Sequence, residues 1–343
     1  AKKGKEVSVF EEHKDIGLPI QCTGIVTNEI QKIIHLDSET VVNNVTKARI
    51  FSNNKNYIEL NLKNKNLILD RNKLDKSLAK KAEESGAKFF LNHSFLQNKK
   101  NLAFIKDKTS NKIKKIKFDH LIGSDGPLSQ VAKSNGFCKN KVWHGVQARV
   151  KLKNENIVEF YPYFGTYAWV VPENKEVARV GLVSEKYANP LFKNFIFKQK
   201  NIKAKDIIEY QSGLIPRYNP KRKAQKNNVY LVGDAAAQVK ASTGGGIIQG
   251  LIASKALSDS IINKKSYEIS WRKSLGKELY LHLRARNIMD KFKQKDWDSL
   301  ISIINTGRSK KILESENRDN ISKIILKLLV NNPKLIYYLK YVV

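Results

Sequence analysis

The run Val229-Tyr230-Leu231-Val232-Gly233-Asp234-Ala235-Ala236-Ala237, followed by Thr243-Gly244-Gly245-Gly246 and the apolar Ile247, Ile248, Leu251 and Ile252, constrains this chain more than any other segment. Val229–Val232 has the make-up of a short buried strand. It ends on an acid able to accept hydrogen bonds from ribose or ribitol hydroxyls, and three glycines let backbone N–H groups approach a phosphate or a ring edge. The apolar spacing that follows marks a buried helix whose positive end faces back toward the glycines. Taken singly, each piece is equally a strand-closing turn or a flexible loop. Together, between a strand and a helix, they point to a site for a dinucleotide with a long polyol.

Two further pieces have the same form. Phe118-Asp119-His120-Leu121-Ile122-Gly123-Ser124-Asp125-Gly126 is an apolar strand ending in Asp-Gly, with a helix after it. Val7-Ser8-Val9-Phe10 alternates and closes on Glu11-Glu12, as does the second strand of a doubly wound sheet whose end carboxylate holds a ribose hydroxyl. The Gly-rich turn expected roughly 20 residues upstream of such an acid is missing, and no Gly-x-Gly-x-x-Gly occurs anywhere. The chain therefore reads as lacking its first strand and Gly-rich loop, through truncation or an incomplete gene prediction.

The expected fold class is α/β with an α+β second domain. A Rossmann-like nucleotide-binding domain takes residues 1–37, 70–140 and 216–262. It is interleaved with an antiparallel-sheet substrate domain over 38–69 and 141–215, where short alternating runs are split by Asn/Lys turns. A helix opens at Asp70-Arg71-Asn72, repeats Leu74, Leu78 and Ala82 on one face, and ends at Gly86. Residues 263–343 form a helical region with Ile321, Ile324, Ile325, Leu328 and Leu329 on one stripe. That stripe lies either in a membrane interface or on the protein's own core.

Charge narrows the partners. Lys and Arg number 63 against 32 Asp and Glu, a net charge of +31. Compositional bias toward Lys explains part of this, and an anionic partner, a lipid surface or nucleic acid, explains the rest. No recognition helix or aromatic RNA-binding motif accompanies the charge, so nucleic acid is the poorer fit. Two cysteines, Cys22 and Cys138, cannot make a disulfide framework, and 41% apolar residues exclude a disordered polycation. The six histidines lack metal-ligand spacing, so no metal site is expected. With neither a transmembrane run nor a signal peptide, the chain reads as cytoplasmic, with any membrane contact peripheral, on the inner face of the cell membrane.

Three segments carry a family resemblance: Ile16-Gly17-Leu18-Pro19-Ile20-Gln21-Cys22-Thr23-Gly24, Tyr167-Ala168-Trp169-Val170-Val171-Pro172 with Gly181 downstream, and Gly233-Asp234 through Gly244-Gly245-Gly246-Ile247. With them the chain resembles the geranylgeranyl reductase family, of the archaeal digeranylgeranylglycerophospholipid reductase type, within the aromatic-hydroxylase-like flavoproteins. The resemblance implies an FAD-dependent reductase that saturates C=C bonds of geranylgeranyl chains in archaeal-type ether lipids, fed by NADPH or ferredoxin. It implies that Glu11 binds the adenosine ribose, that Arg71 contacts the cofactor and that the backbone near Phe95 reaches the adenine. Cys22, Thr23 and Gly24 would lie beside the flavin. Asp234 would bind the ribitol–pyrophosphate region, with Gly246 and Ile247 at the isoalloxazine and phosphates, and Asp125, Gly233, Gly244 and Gly245 would also bind the cofactor. Tyr167, Trp169 and Pro172 would line the lipid site. Val171, Ala237 and Ala241 depart from the residues usual in the family.

Saturating an unpolarised alkene needs a proton as well as a hydride, in a water-poor site. Cys22, a weak acid, is the candidate donor; packing against the flavin is the alternative role. A flavin monooxygenase or epoxidase on the same scaffold is the rival enzyme, because fold does not fix the fate of the reducing electrons.

Overall fold

The computed structural model describes residues 1–341; Val342 and Val343, the last two positions of the helical region expected over 263–343, lie outside the described residues. The largest sheet has eight strands, in the order Ile207–Pro216, Val142–Lys151, Val177–Ser184, Tyr167–Pro172, Ile157–Tyr161, Val41–Phe51, Tyr57–Leu69 and Ile25–Thr27. Segments 38–69 and 141–215 thus share one sheet. They are joined where Ile157–Phe160 runs parallel to Lys47–Ile50.

Side chains alternate across this sheet, and its two faces differ. Ala148, Val150, Ala168, Val170, Ala178, Val180 and Leu182 pack beneath Phe192, Phe195 and Ile196 in a dry core. The intervening positions, Gln147, Trp169 and Gly181, belong to the opposite face, which carries the candidate site.

The half expected to bind a nucleotide is mixed α/β. Val7–Phe10 pairs in parallel with Ala87–Phe90, and Val229–Leu231 with Leu121–Gly123. The helix Arg71–Glu83 begins at Asp70, whose carboxylate accepts from the Lys73 N–H at 3.1 Å, a side-chain N-cap. Helix Ile247–Ile262 buries Ile248, Ala253 and Leu257. Leu257 joins Leu231, Tyr267, Trp271 and Leu279 in a core that fastens the C-terminal helices to this half.

A further cluster closes the outer end of the large sheet, where Ile58 and Leu60 meet Ile301, Ile304, Leu335 and Tyr338, with Leu328 and Leu329 packed against them. Of the two fates open to the Ile321–Leu329 stripe, Leu328 and Leu329 take the second: they face the protein's own core. Among the described residues no helix is long and apolar enough to cross a membrane.

Candidate cofactor and substrate site

Strand Val229–Leu231 delivers Gly233 and Asp234 to a tight turn. The Asp234 carboxylate has no hydrogen-bond or ion-pair partner among the described residues. It lies 3.2 Å from where a Cβ on Gly246 would stand. Burial pushes it up to about 6, with the Arg71 guanidinium pulling the other way. A half-buried acid without a partner is an acceptor waiting for donors. Gly244 adopts φ +68, and a Cβ there would strike the Tyr167 hydroxyl, so this glycine is fixed by a close approach rather than by a need for flexibility. Gly246 then starts the helix without a side-chain cap, leaving the first-turn N–H groups free of one.

The Cys22-Thr23-Gly24 loop enters from the other side. Gly24, at φ +73, passes so close to strand Tyr57–Leu69 that a Cβ would sit 2.5 Å from the Leu69 carbonyl oxygen and 2.8 Å from Arg179 Nη1. Arg179 donates to the Thr23 carbonyl at 2.6 Å and the Leu69 carbonyl at 3.0 Å, pinning the loop to the sheet. Gln147, 5% exposed, does the rest. Its carbonyl oxygen accepts from Thr23 Oγ1 at 2.9 Å and from Trp169 Nε1 at 3.3 Å, while its amide donates to Gln211 Oε1 at 2.5 Å and to the Cys22 carbonyl at 3.4 Å. The Trp169 indole lies over Gly181, where a Cβ would come within 2.5 Å of the ring.

Tyr167 and Trp169, with ring centroids 5.8 Å apart, and Phe160, 5.5 Å from Tyr167, form a continuous aromatic wall. Trp143, Val183, Ile215 and Leu283 extend it. Cys22 Sγ accepts from the Gly24 N–H at 3.3 Å and is faced by the Arg71 guanidinium. Burial works against the charge on Arg71, but the Asp75 carboxylate, paired with it at 3.0 Å, holds the guanidinium protonated. One place therefore gathers an unpartnered acid, an uncapped helix start, a thiol beside a cation and an apolar wall. Among the described residues no cluster suited to a metal ion occurs.

Over residues 24–257 the sequence matches the family described as the FAD binding domain. The chain belongs to this family. Across nearly its whole length it is similar to digeranylgeranylglycerophospholipid reductase 2 of Methanothermobacter thermautotrophicus, 27% identical over 99% of this chain and 94% of that protein. The digeranylgeranylglycerophospholipid reductase of Methanocaldococcus jannaschii is likewise 27% identical, over 99% and 93%. A geranylgeranyl bacteriochlorophyll reductase-like protein from Thermoplasma acidophilum superposes with a TM-score of 0.85 at 21% identity, over 100% of this chain and 94% of that one, and shares its fold. FAD is the cofactor. The unpartnered Asp234, the close-approach glycine at 244 and the uncapped helix start fit a molecule with a polyol, a pyrophosphate and a flat ring.

The remaining expected residues are more scattered. Glu11 stands at the end of strand Val7–Phe10, where a doubly wound sheet presents a ribose-binding acid, and its Oε1 accepts from the His13 N–H at 2.9 Å. Phe95 sits on strand His93–Lys99 with its ring packed against the core that holds Val131. The Asp125 carboxylate accepts from Ser129 Oγ at 2.6 Å and from the Val131 N–H at 3.0 Å, so it is engaged in shaping its own turn and helix start. Asn140 couples that turn to the Asp234 turn by donating to the Pro127 and Asp234 carbonyls at 2.9 and 3.3 Å. Pro172 ends the strand that Tyr167 begins, with its carbonyl bound by Asn43 at 3.0 Å.

One cluster near the glycine loop was not expected from the sequence. Lys240, buried beside Gly245, forms an ion pair with Asp319 from the C-terminal region. The other Asp319 oxygen accepts from Thr27 Oγ1 at 2.6 Å. Burial alone would raise the Asp319 carboxyl, but the Lys240 ammonium and these hydrogen bonds bring it down to about 2. Nearby, Ser242 Oγ lies 2.6 Å from Nδ1 of the buried His282. The only sequence hint was a lone lysine in the otherwise small and apolar run around it.

Proposed function

We propose that the chain is an FAD-dependent reductase that saturates C=C bonds in the geranylgeranyl chains of archaeal-type ether phospholipids or their precursors. The observation that carries this reading is the meeting of the aromatic wall with both cofactor segments. Tyr167 abuts Gly244, and Trp169 is tied through Gln147 to Thr23. A long apolar chain laid on the wall is thereby brought to the cofactor loops. In this reading residues 1–37, 70–140 and 216–262 serve the cofactor, and 38–69 and 141–215 the lipid.

Reduced FAD, when bound, supplies the hydride. The chain's own residues exclude water, orient the alkene and supply the proton. Cys22 is the proton donor in this reading, and the Gly24 N–H and Arg71 guanidinium facing Sγ hold the negative charge left on sulfur. Cys22→Ala is then expected to retain FAD while kcat falls by about 10²–10⁴-fold. Steady-state assays beside a flavin absorbance titration check this, and an unchanged kcat would assign Cys22 to packing.

Asp234 supplies a pH signature. With its carboxyl raised to about 6 in the free protein, the ionised form is the better acceptor for cofactor hydroxyls, so FAD binding expels a proton below that pH. FAD affinity is expected to rise with pH up to about 6 and level off above it. Calorimetry in buffers of different ionisation enthalpy measures the released proton; a flat profile would remove Asp234 from the cofactor site.

The electrons come from NADPH or a ferredoxin, and offering each carrier separately to the oxidised protein distinguishes them. The chain works in the cytoplasm against the anionic inner face of the cell membrane, a reading that its net charge of +31 supports. Product formed under strict anaerobiosis supports the reductase; an absolute need for oxygen would favour the monooxygenase.

A further inference from the structure

Sixteen large apolar side chains are exposed among the described residues, and five of them, Leu326, Val330, Ile336, Tyr337 and Leu339, fall in one short C-terminal stretch. They belong to two consecutive elements, the helix Ile321–Asn331 and the helical turns Pro333–Tyr341. Leu328 and Leu329 from the first, and Leu335 and Tyr338 from the second, pack into the same cluster around Ile58, Leu60 and Ile301. Since both elements are seated on one core, both outer sides point away from it. Leu326 and Val330 stand there at 65% and 71% exposure, a helical turn apart.

From Asn320 to the last residue the sequence holds four lysines, at 323, 327, 334 and 340, and neither Asp nor Glu. Lys323 and Lys327 lean back to Glu316 at 3.1 and 2.5 Å. Lys340 rests its ammonium 3.5 Å from the centroid of the Tyr337 ring. Exposed apolar side chains among cations, with an aromatic ring carrying a polar tip, are the composition of a helix lying in a bilayer interface.

We propose that the outer side of Ile321–Tyr341 docks on an anionic lipid bilayer. Leu326, Val330, Ile336, Tyr337 and Leu339 enter the boundary between headgroups and acyl chains, and Lys334 and Lys340 meet the headgroups. A second copy of the chain fits poorly, because a two-fold contact would set this acid-free segment against itself on molecules that each carry +31. Nucleic acid would satisfy the lysines and leave the five apolar side chains in water. This surface builds on the lipid-reductase reading, which it would supply with substrate, but its test needs no turnover.

The test is flotation of the FAD-loaded full chain with vesicles of phosphatidylcholine alone or mixed with phosphatidylglycerol, at low and high salt. Binding is expected on the anionic vesicles, weakened by salt. The variant Leu326→Ser/Val330→Ser/Tyr337→Ser should lose about tenfold or more in partition, and Lys334→Ala/Lys340→Ala about fivefold per lysine. Both should keep the flavin spectrum and melting temperature of the parent. Four results would overturn the surface: no flotation of the parent on anionic vesicles, undiminished flotation of both variants, a dimer that the serine variant dissolves, or displacement from vesicles by duplex DNA that both variants bind as the parent does. Flotation by a chain that reduces no lipid would overturn the reductase and leave the surface standing.

Discussion

Replacing Asp319 by alanine is expected to lower the free energy of unfolding by about 3–5 kcal/mol and to strip the protein of FAD. The carboxylate links three parts of the chain: its own C-terminal segment, Thr27 at the end of the strand that follows the Cys22 loop, and Lys240 beneath the glycine loop. Its removal leaves the Lys240 ammonium buried without a counter-charge and the Thr27 hydroxyl without its acceptor. The charge would force the loop to open toward water, and the glycine loop moves with it, since the Lys240 N–H donates to the Gly245 carbonyl and the Gly244 N–H to the Lys240 carbonyl. Asp319→Asn keeps an acceptor but not the charge and should fall between. The double variant Lys240→Met/Asp319→Leu removes both ions and should recover most of the loss, because apolar replacements of a buried pair are often neutral.

Urea unfolding followed by circular dichroism, with flavin fluorescence in parallel, measures both effects; a parental midpoint for Asp319→Ala would mean that the pair does not hold the fold. The same cluster sets an acid limit. Burial, with Lys240 nearby, keeps the His282 imidazole neutral down to about 3. An unfolded chain would protonate it near the ordinary value of about 6.5. Its folded value is depressed, so the stability it contributes is complete above the unfolded value of about 6.5 and is lost as pH falls from there to about 3.

The second large effect runs in opposite directions on cofactor and fold. Asp234→Ala should weaken FAD binding by about 100-fold or more, as a charged acceptor for the cofactor's hydroxyls is lost. The cofactor-free protein should become more stable by roughly 2–3 kcal/mol at neutral pH, because a carboxylate that burial has pushed up to about 6 is ionised there without a partner. A raised folded value means the acid favours folding only when protonated. The gain from removing it should therefore shrink as pH falls below about 6 and vanish near the ordinary carboxyl value of about 4. A residue with a purely architectural role would lose stability and affinity together. Thermal melts of the apo forms across pH, beside FAD titrations, separate the two outcomes.

Local grammar was legible where one segment carries its own explanation. Strand Val229–Leu231, the Gly233-Asp234 turn and the helix from Ile247 follow from composition and spacing, as does the helix capped by Asp70. Partnerships across the chain were not legible. Short alternating runs such as Ala48–Phe51 mark strands, but nothing in them says that Val41–Phe51 pairs in parallel with Ile157–Tyr161. Gln147 and Arg179 look like outward-facing polar residues on strands; only folding places them at the Cys22 loop, where one carries four side-chain hydrogen bonds and the other clamps two carbonyls. Asp125 read as a cofactor acid because its turn has the right sequence, yet its carboxylate is spent on Ser129 and Val131. Lys240 and Asp319 lie 79 positions apart, beyond any local pattern.

The central claim, that this FAD site faces an oily wall in order to saturate isoprenoid double bonds, is tested most directly by weighing the product. The FAD-loaded chain is reduced chemically without oxygen, mixed with a geranylgeranyl ether phospholipid, and the lipid is analysed by mass spectrometry. A gain of about two mass units for each bond reduced, with oxidation of the flavin, is the expected result. A lipid that returns unchanged from a fully reduced, yellow-reoxidising protein, or one that gains oxygen when air is admitted, would contradict it.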